Sequence, residues 1–320
     1  MKTLVVGGAG YIGSVVSRLL VAEGHDVTVL DDCSTGHADS VPAGVQLIEA
    51  DITTAPGVLG GAGFDAVLHF AAKSLVGESQ REPSLYWRTN VYGTRVLLDA
   101  ITENHVPRLV FSSSAATYGD PASIPITEDA PASPTNTYGA TKLAVDMMIT
   151  GECAATDLAA VSLRYFNVAG AAFGAGERHS VETHLIPIAL DAVAGRRPAL
   201  TVYGDDWPTP DGTPIRDYVH VADLARAHLL ALTAAQPAEH LICNLGNGDG
   251  FSVREVLATI EQVIGRPVPV TVGPRRAGDP TRLVASGERA AQRLGWTPEL
   301  TLAQMVADAW AFAEGRGGRS

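Results

Sequence analysis

Several side chains in the middle of this sequence have the types and spacing for proton chemistry. Tyr138 and Lys142 lie four positions apart in Tyr138-Gly139-Ala140-Thr141-Lys142, so on a helix both leave one face. A phenol titrates near pH ~10 and is a poor base at neutrality, whereas a neighbouring ammonium favours the phenolate and lowers that value. Upstream, Phe111-Ser112-Ser113-Ser114 leaves the end of an apolar run. A hydroxyl such as that of Ser114 can orient a substrate hydroxyl and share its proton with Tyr138. Alone, Tyr-x-x-x-Lys arises by chance in many helices, and its weight comes from what surrounds it.

The first companion is the turn Gly7-Gly8-Ala9-Gly10-Tyr11-Ile12-Gly13, between the run Leu4-Val5-Val6 and an amphipathic stretch. Glycines at 7, 10 and 13 allow a tight turn, close approach of backbone to a pyrophosphate and close helix–strand packing. The helix N-terminus then offers free N–H groups and a positive dipole end to the phosphates. Asp31 ends the next strand, 18 residues beyond Gly13, where a carboxylate meets the adenosine ribose hydroxyls of a dinucleotide. A 2′-phosphate beside Asp31 and Asp32 would be repelled, which favours NAD over NADP. With NAD⁺ bound, the positive nicotinamide would join Lys142 in favouring the Tyr138 phenolate. Asp51-Ile52, after the third strand, suits the adenine amino group, although a capping Asp has the same signature.

These residues need a scaffold, and the chain writes one. Apolar runs at Leu4–Val6, Val27–Leu30, Val45–Ile48, Ala66–Phe70, Leu109–Phe111 and Ala160–Leu163 alternate with helical stretches such as Ser14–Ala22 and Val91–Ile101. That alternation predicts an α/β fold with a doubly wound parallel sheet (Rossmann), whose ligands bind at the carboxyl edge of the strands. Past about residue 170 the pattern loosens. We expect residues 1–170 to form the NAD-binding unit and residues 171–320 a smaller C-terminal α/β substrate-binding lobe, with some later segments returning to the first.

Composition narrows the function classes. Of 320 residues, 23 are Lys or Arg and 35 Asp or Glu, a formal charge of −12, which disfavours nucleic acid and anionic bilayers as partners. No apolar run reaches the ~18 residues of a membrane span, and Gly7-Gly8 interrupts the opening run too early for a signal peptide. Three scattered cysteines, Cys33, Cys153 and Cys243, form neither a disulfide framework nor a paired metal motif. They suit a reducing cytoplasm. His184 and His220 have no partner at a metal-ligand spacing such as His-Glu-x-x-His, so no metal is expected.

Taken together, Gly7 to Gly13, Asp31, Ser114, Tyr138 and Lys142 resemble the extended short-chain dehydrogenase/reductases that act on nucleotide sugars. The likeness runs from residue 1 to about residue 313. It narrows to the nucleotide-sugar 4-epimerases through His69-Phe70-Ala71-Ala72-Lys73, Val76-Gly77-Glu78-Ser79, Tyr165-Phe166-Asn167 and Glu182-Thr183-His184-Leu185-Ile186-Pro187. Asp211-Gly212-Thr213 leading to Arg216-Asp217-Tyr218-Val219-His220-Val221, and Arg275-Arg276-Ala277-Gly278-Asp279, complete it.

The resemblance implies interconversion of UDP-galactose and UDP-glucose: C4 is oxidised, the 4-keto sugar rotates, and the same hydride returns to its other face. It implies NAD held by Gly7, Gly10, Tyr11, Ile12, Gly13, Asp31, Asp32, Asp51, Ile52, Phe70, Ala71, Ala72, Lys73, Asn90, Ser112, Tyr138, Lys142 and Tyr165. It implies Ser114 and Tyr138 at the sugar, Asn167, His184, Leu185, Arg216 and Arg276 around the UDP moiety, and Asp279 at its ribose. Tyr203 would pack on the uracil and Leu283 gate the hexose pocket, a position where relatives carry Tyr or a small residue. Many relatives carry Asn where Asp32 stands, and in some the Lys of Lys73 falls at the position of Ser74. A homodimer is also implied, through the helix carrying Tyr138 and the one near Asn90 to Ile101.

Other readings are weaker. Nucleotide-sugar dehydratases add an Asp-Glu pair after the strand-end serines, where this chain has Ser113-Ser114-Ala115-Ala116. UDP-glucuronate 4-epimerases and decarboxylases need a cation for the C6 carboxylate. A non-catalytic NAD-binding sensor or scaffold would often lack the Tyr or Lys, and both are present.

Overall fold

The computed structural model describes residues 1–276 and 279–317. Seven parallel strands form the central sheet: β1 Lys2–Val6, β2 Asp26–Asp31, β3 Gln46–Glu49, β4 Ala66–His69, β5 Arg108–Ser114, β6 Ala159–Tyr165 and β7 His240–Leu245. Their order is β7-β6-β5-β4-β1-β2-β3. The chain leaves β1 toward β2 on one side and later returns to β4 on the other. The crevice of an open α/β sheet therefore opens at the carboxyl end of β1, where Gly7 begins.

Apolar runs become strands here because both faces are covered. On one face Val5, Val29, Leu68 and Leu163 pack with Val15 and Leu20 of helix α1 (Tyr11–Ala22) and Leu224 of a later helix. On the other, Leu4, Val67 and Leu109 meet Leu97 and Ile101 of α2 (Gly93–Glu103) and Val145 and Ile149 of α3 (Thr137–Ala155). Each such side chain fully buried contributes about 1.5–3 kcal/mol relative to exposure.

The approach to α2 departs from a simple helix over Val91–Ile101. A short helix at Pro83–Tyr86 runs into a π-helical turn, Trp87–Tyr92, before α2 begins. Asn90 lies within that turn and is buried.

Beyond Tyr165 the chain serves two structures. Asn167–Ala169 pairs in parallel with Tyr218–His220, α5 (Val221–Ala231) joins the core of the sheet, and β7 extends the sheet beside β6. The remainder gathers around a separate core, in which Leu190 of α4 (Leu185–Val193), Val256 and Ile260 of α6 (Val253–Ile264) and Met305 of α7 (Leu302–Gly317) are buried.

Candidate functional site

The glycines of the first turn have different duties. Gly7 has φ +85°, and a Cβ on it would meet the Ala71 nitrogen at 2.4 Å; one on Gly13 would meet the Gly7 carbonyl at 2.2 Å. Both are required by the fold. A Cβ on Gly10 would touch only the Gly7 oxygen, at 3.5 Å, an ordinary contact. Packing gives no reason for glycine there. Gly10 is the N-cap of α1 and makes no side-chain cap, so first-turn N–H groups face outward beside a bare Cα. That cradle fits a pyrophosphate.

At the end of β2 the buried Asp31 carboxylate accepts the backbone N–H of Ala9 at 2.9 Å and of Cys33 at 2.8 Å. Burial pushes its carboxyl above the ordinary range, against those two hydrogen bonds. Asp31 therefore fastens the glycine turn at the strand end. Asp32 is exposed and accepts the Ser34 N–H. Asp51 caps the turn Ile52–Thr54, accepting the Thr53 N–H at 2.8 Å and hydroxyl at 2.6 Å, and Ile52 is a core residue. The side chain of Tyr11 is engaged, its hydroxyl donating to the Gly170 carbonyl at 2.6 Å.

The proton-chemistry residues gather at the carboxyl ends of β4 to β6. Tyr138 starts the first turn of α3, fixed by Asn136, whose side chain accepts the Gly139 N–H, and by Ser79, whose hydroxyl accepts the Tyr138 N–H at 3.1 Å. Gly139 is required: a Cβ there would meet the Ala116 carbonyl at 2.3 Å. This close approach brings the Tyr138 phenol near the Ser114 hydroxyl, which favours the phenolate. Ser114 also accepts the Ala116 N–H.

Lys142, 3% exposed, donates to the Ser112 carbonyl at 2.7 Å and lies 4.8 Å from the Phe111 ring centroid and 5.9 Å from that of Tyr138. Burial lowers it to about 8, with Asp146 opposing. Burial also holds the Tyr138 phenol above its ordinary value, against the opposing influence of the Ser114 hydroxyl. The expected lowering joins Lys142 with the positive nicotinamide of NAD⁺, a charge the chain alone does not supply. The lysine is turned to a carbonyl, so further lowering needs positive charge from a ligand at the ring.

Neighbouring elements converge on the same edge. Phe70, Ala71 and Ala72 leave β4, with the Phe70 ring 4.8 Å from that of His228. The Asn90 amide oxygen accepts the Lys73 N–H at 2.8 Å, while its NH₂ donates to the Lys73 carbonyl and the Thr141 hydroxyl, both at 3.0 Å. The π turn thus clamps the post-β4 loop to α3. The Lys73 ammonium reaches Ser34 at 3.3 Å, across the crevice. Tyr165 is hydrogen-bonded to His228.

Beneath them lies a group that sequence reasoning missed. Asp146 continues the face of Tyr138 and Lys142 by one more turn, accepting from Arg164 at 2.9 Å and 3.1 Å and from Ser113 at 3.1 Å. Both members of this ion pair are at most 5% exposed. The i, i+4, i+8 spacing was its available signal.

A second set assembles across the edge. Asn167 donates to the Asp217 carbonyl at 3.0 Å, through both its main chain and its side chain. Arg216 pairs in register with Leu283. Burial lowers the Arg216 guanidinium, Asp279 opposing and Arg276 reinforcing. Arg276 bridges to Asp279 at 2.9 Å and lies 4.8 Å over the Tyr203 ring, so one face of the ring expected at the uracil is already covered. Leu283 packs against the small cluster of Ala115, Tyr118 and Ile126, as does Phe166. Ala277 and Gly278 lie outside the described residues. Asp217 accepts the N–H groups of Asn247, Gly248 and Ala285 and serves as a strut. His220 caps α5 and pairs with Asp308 at 3.0 Å.

His184 and Leu185 open α4, with Leu185 packing on the second core. Contrary to expectation, His184 has metal-ligand-type partners: it is grouped with Glu177, His179 and Glu182. A separate cavity of about 410 Å³, lined by Ala171 to Ala175, His220, Asp308 and Phe312 among others, contains none of the residues assigned above to cofactor or substrate.

A parallel sheet with a phosphate cradle at its switch point and a Tyr–Lys–Ser group at the next strand ends defines a nucleotide-dependent hydride-transfer class. Residues 3–246 match the NAD dependent epimerase/dehydratase family, and the chain belongs to it. It is 55% identical to the UDP-glucose 4-epimerase of Corynebacterium glutamicum, covering 100% of this chain and 98% of that one. Among solved structures it is similar to the UDP-glucose 4-epimerase of Brucella ovis in complex with NAD (TM-score 0.93, 45% identity, 97% of each chain). It is likewise similar to that of Stenotrophomonas maltophila with bound NAD and formylated UDP-arabinopyranose (TM-score 0.95, 37% identity, 100% of each chain).

Proposed function

We propose that this chain is an NAD-dependent enzyme interconverting UDP-galactose and UDP-glucose at C4. The observation that carries this is the convergence of Tyr138 and Ser114 at the end of β5, with buried Lys142 beside the Tyr138 ring and Arg216, Arg276 and Asp279 grouped across the edge. Bound NAD⁺ supplies the acceptor, and afterwards the donor, of the C4 hydride. Gly10 and the first turn of α1 hold its pyrophosphate, Asp31 its adenosine ribose, and Lys142 its nicotinamide ribose.

Ser114 receives the C4 hydroxyl and relays its proton to Tyr138, whose phenolate the positive charge of bound NAD⁺ would favour. Lys142 keeps that corner positive. Arginine forks suit a diphosphate, so Arg216 and Arg276 grip the nucleotide end while the hexose, bordered by Leu283, stays loosely held. That asymmetry lets a 4-keto sugar turn over without leaving.

The late lobe is proposed as the UDP-sugar-binding unit. A homodimer is proposed through α3 and the helix near Asn90 to Ile101, supported by exposed Trp87 leading into it, Tyr92 within it and Met147 on α3 (44%, 58% and 67%). Cytoplasmic residence is proposed from three free thiols; among the described residues no helix is long and apolar enough to cross a membrane. Protein purified without added cofactor is expected to equilibrate UDP-galactose with UDP-glucose. No turnover despite bound NAD, or turnover of UDP-glucuronate alone, overturns the reading.

A further inference from the structure

We propose that Glu177, His179, Glu182 and His184 form a binding site for one divalent transition-metal ion of the zinc kind. The four residues occupy eight consecutive positions, Glu-x-His-x-x-Glu-x-His, between the hairpin Ala171–Gly176 and α4. One donor atom of each lies within 4.8 Å of every other. Both imidazoles turn Nδ1 onto the same oxygen, Glu177 Oε1, at 2.8 Å and 2.7 Å, and His184 Nδ1 also lies 2.8 Å from Glu182 Oε1.

Four ligands at the ~2.0–2.2 Å of zinc–nitrogen and zinc–oxygen bonds stand about 3.4 Å apart on a tetrahedron. The hydrogen-bonded contacts would therefore open by roughly half an ångström each, inside the span the atoms already occupy. Two imidazoles with two carboxylates suit zinc and its neighbours in the transition series better than magnesium or calcium, which take oxygen ligands.

Charge and rigidity point the same way. The Glu177 and Glu182 side chains are 9% and 13% exposed. Among the described residues neither is paired with Lys or Arg, because the nearby Arg178 is turned to Asp39 at 2.6 Å. Glu182 Oε1 is held by the Thr183 and His184 N–H groups, both at 2.7 Å. The segment is tied down by Arg178 donating to Ser40 and by His37 against the Arg178 carbonyl. His179 shares a small cavity with Gly10 and Tyr11, so a bound ion would lock a strap that borders the phosphate cradle and leads into α4. The assignment does not depend on which sugar the enzyme takes.

The test is equilibrium dialysis of the NAD-bearing protein against Zn²⁺, with Mg²⁺ alongside, followed by elemental counting. The unsubstituted chain is expected to retain about one zinc per chain and no magnesium, and His179→Gln and Glu182→Gln to bind zinc at least about tenfold more weakly while keeping NAD. Retention of less than about half an equivalent, or equal retention by the variants, overturns the assignment. Co²⁺ gives a reading independent of any variant. The strong visible bands of a four-coordinate centre support the site, and the weak bands of a six-coordinate surface ion overturn it.

Discussion

The two halves of the candidate site are built to different specifications. The half carrying Tyr138, Lys142, Ser112 and Ser114 rests on strand ends and on a layer of buried polar contacts, Arg164 to Asp146 to Ser113 and Asn90 to Lys73 and Thr141. The half carrying Tyr203, Arg276 and Asp279 rests on short paired segments and loops, with Arg276 59% exposed and Tyr203 42% exposed. Where a proton must move, position is fixed before the ligand arrives. In the proposed nucleotide grip, Arg276 and Asp279 remain partly in water and pair with each other. A rigid reacting corner and a compliant grip suit a reaction whose intermediate must be retained yet free to turn.

Four substitutions probe that contrast, in descending order of expected effect. Tyr138→Phe is expected to lower turnover by about 10²–10⁴-fold while UDP still binds; near-normal rates by coupled assay would remove the phenol from the chemistry. Asp146→Asn breaks a buried ion pair and is expected to destabilise the protein by about 3–5 kcal/mol, measured by urea unfolding, and to lower activity through misplaced Lys142 and Ser113. If stability is unchanged, the rigid half is not held from below.

Lys142 supplies a pH signature. Its ammonium titrates at about 8 in the folded chain against 10.5 ordinarily, so below pH 8 both folded and unfolded chains carry the proton and the full burial cost is present. Between pH 8 and 10.5 the unfolded chain holds more protons, and stability rises with pH. Relative to Lys142→Met, the unsubstituted protein is expected to gain up to about 3 kcal/mol across that window. A flat difference would mean the lysine is solvated. Last, Arg276→Ala is expected to weaken UDP binding by about 1–2 kcal/mol by calorimetry, with kcat nearly unchanged and stability within about 0.5 kcal/mol. A large stability loss would show that the grip is as structural as the corner.

What was legible in the sequence was local. The glycine spacing, Asp31 at a strand end and the Tyr–Lys pair are statements about residues a few positions apart on one element, and the alternating apolar runs gave the sheet. What was not legible required distant segments to meet. Gly139 owes its identity to Ala116, Asp146 to a partner on β6, and Asn90 to a π turn whose residues read as ordinary helix. Asp217 stands in a site motif but works as a strut for segments 30 and 68 residues away. The Glu–His group was passed over because its alternation fits no helical metal motif; an irregular strap folds it together.

The last strand of the sheet also sets a timetable. β7 pairs with β6 from His240↔Ala160 to Leu245↔Tyr165, so a ribosome must add 74 residues after Tyr165 before it reaches His240. At ordinary synthesis speeds that is about 4–15 s during which the growing chain carries an open edge beside its reactive residues. Helper proteins that shield nascent strands would find their most exposed client surface there, and a messenger cut short in this interval would yield a product prone to sticking to its own copies.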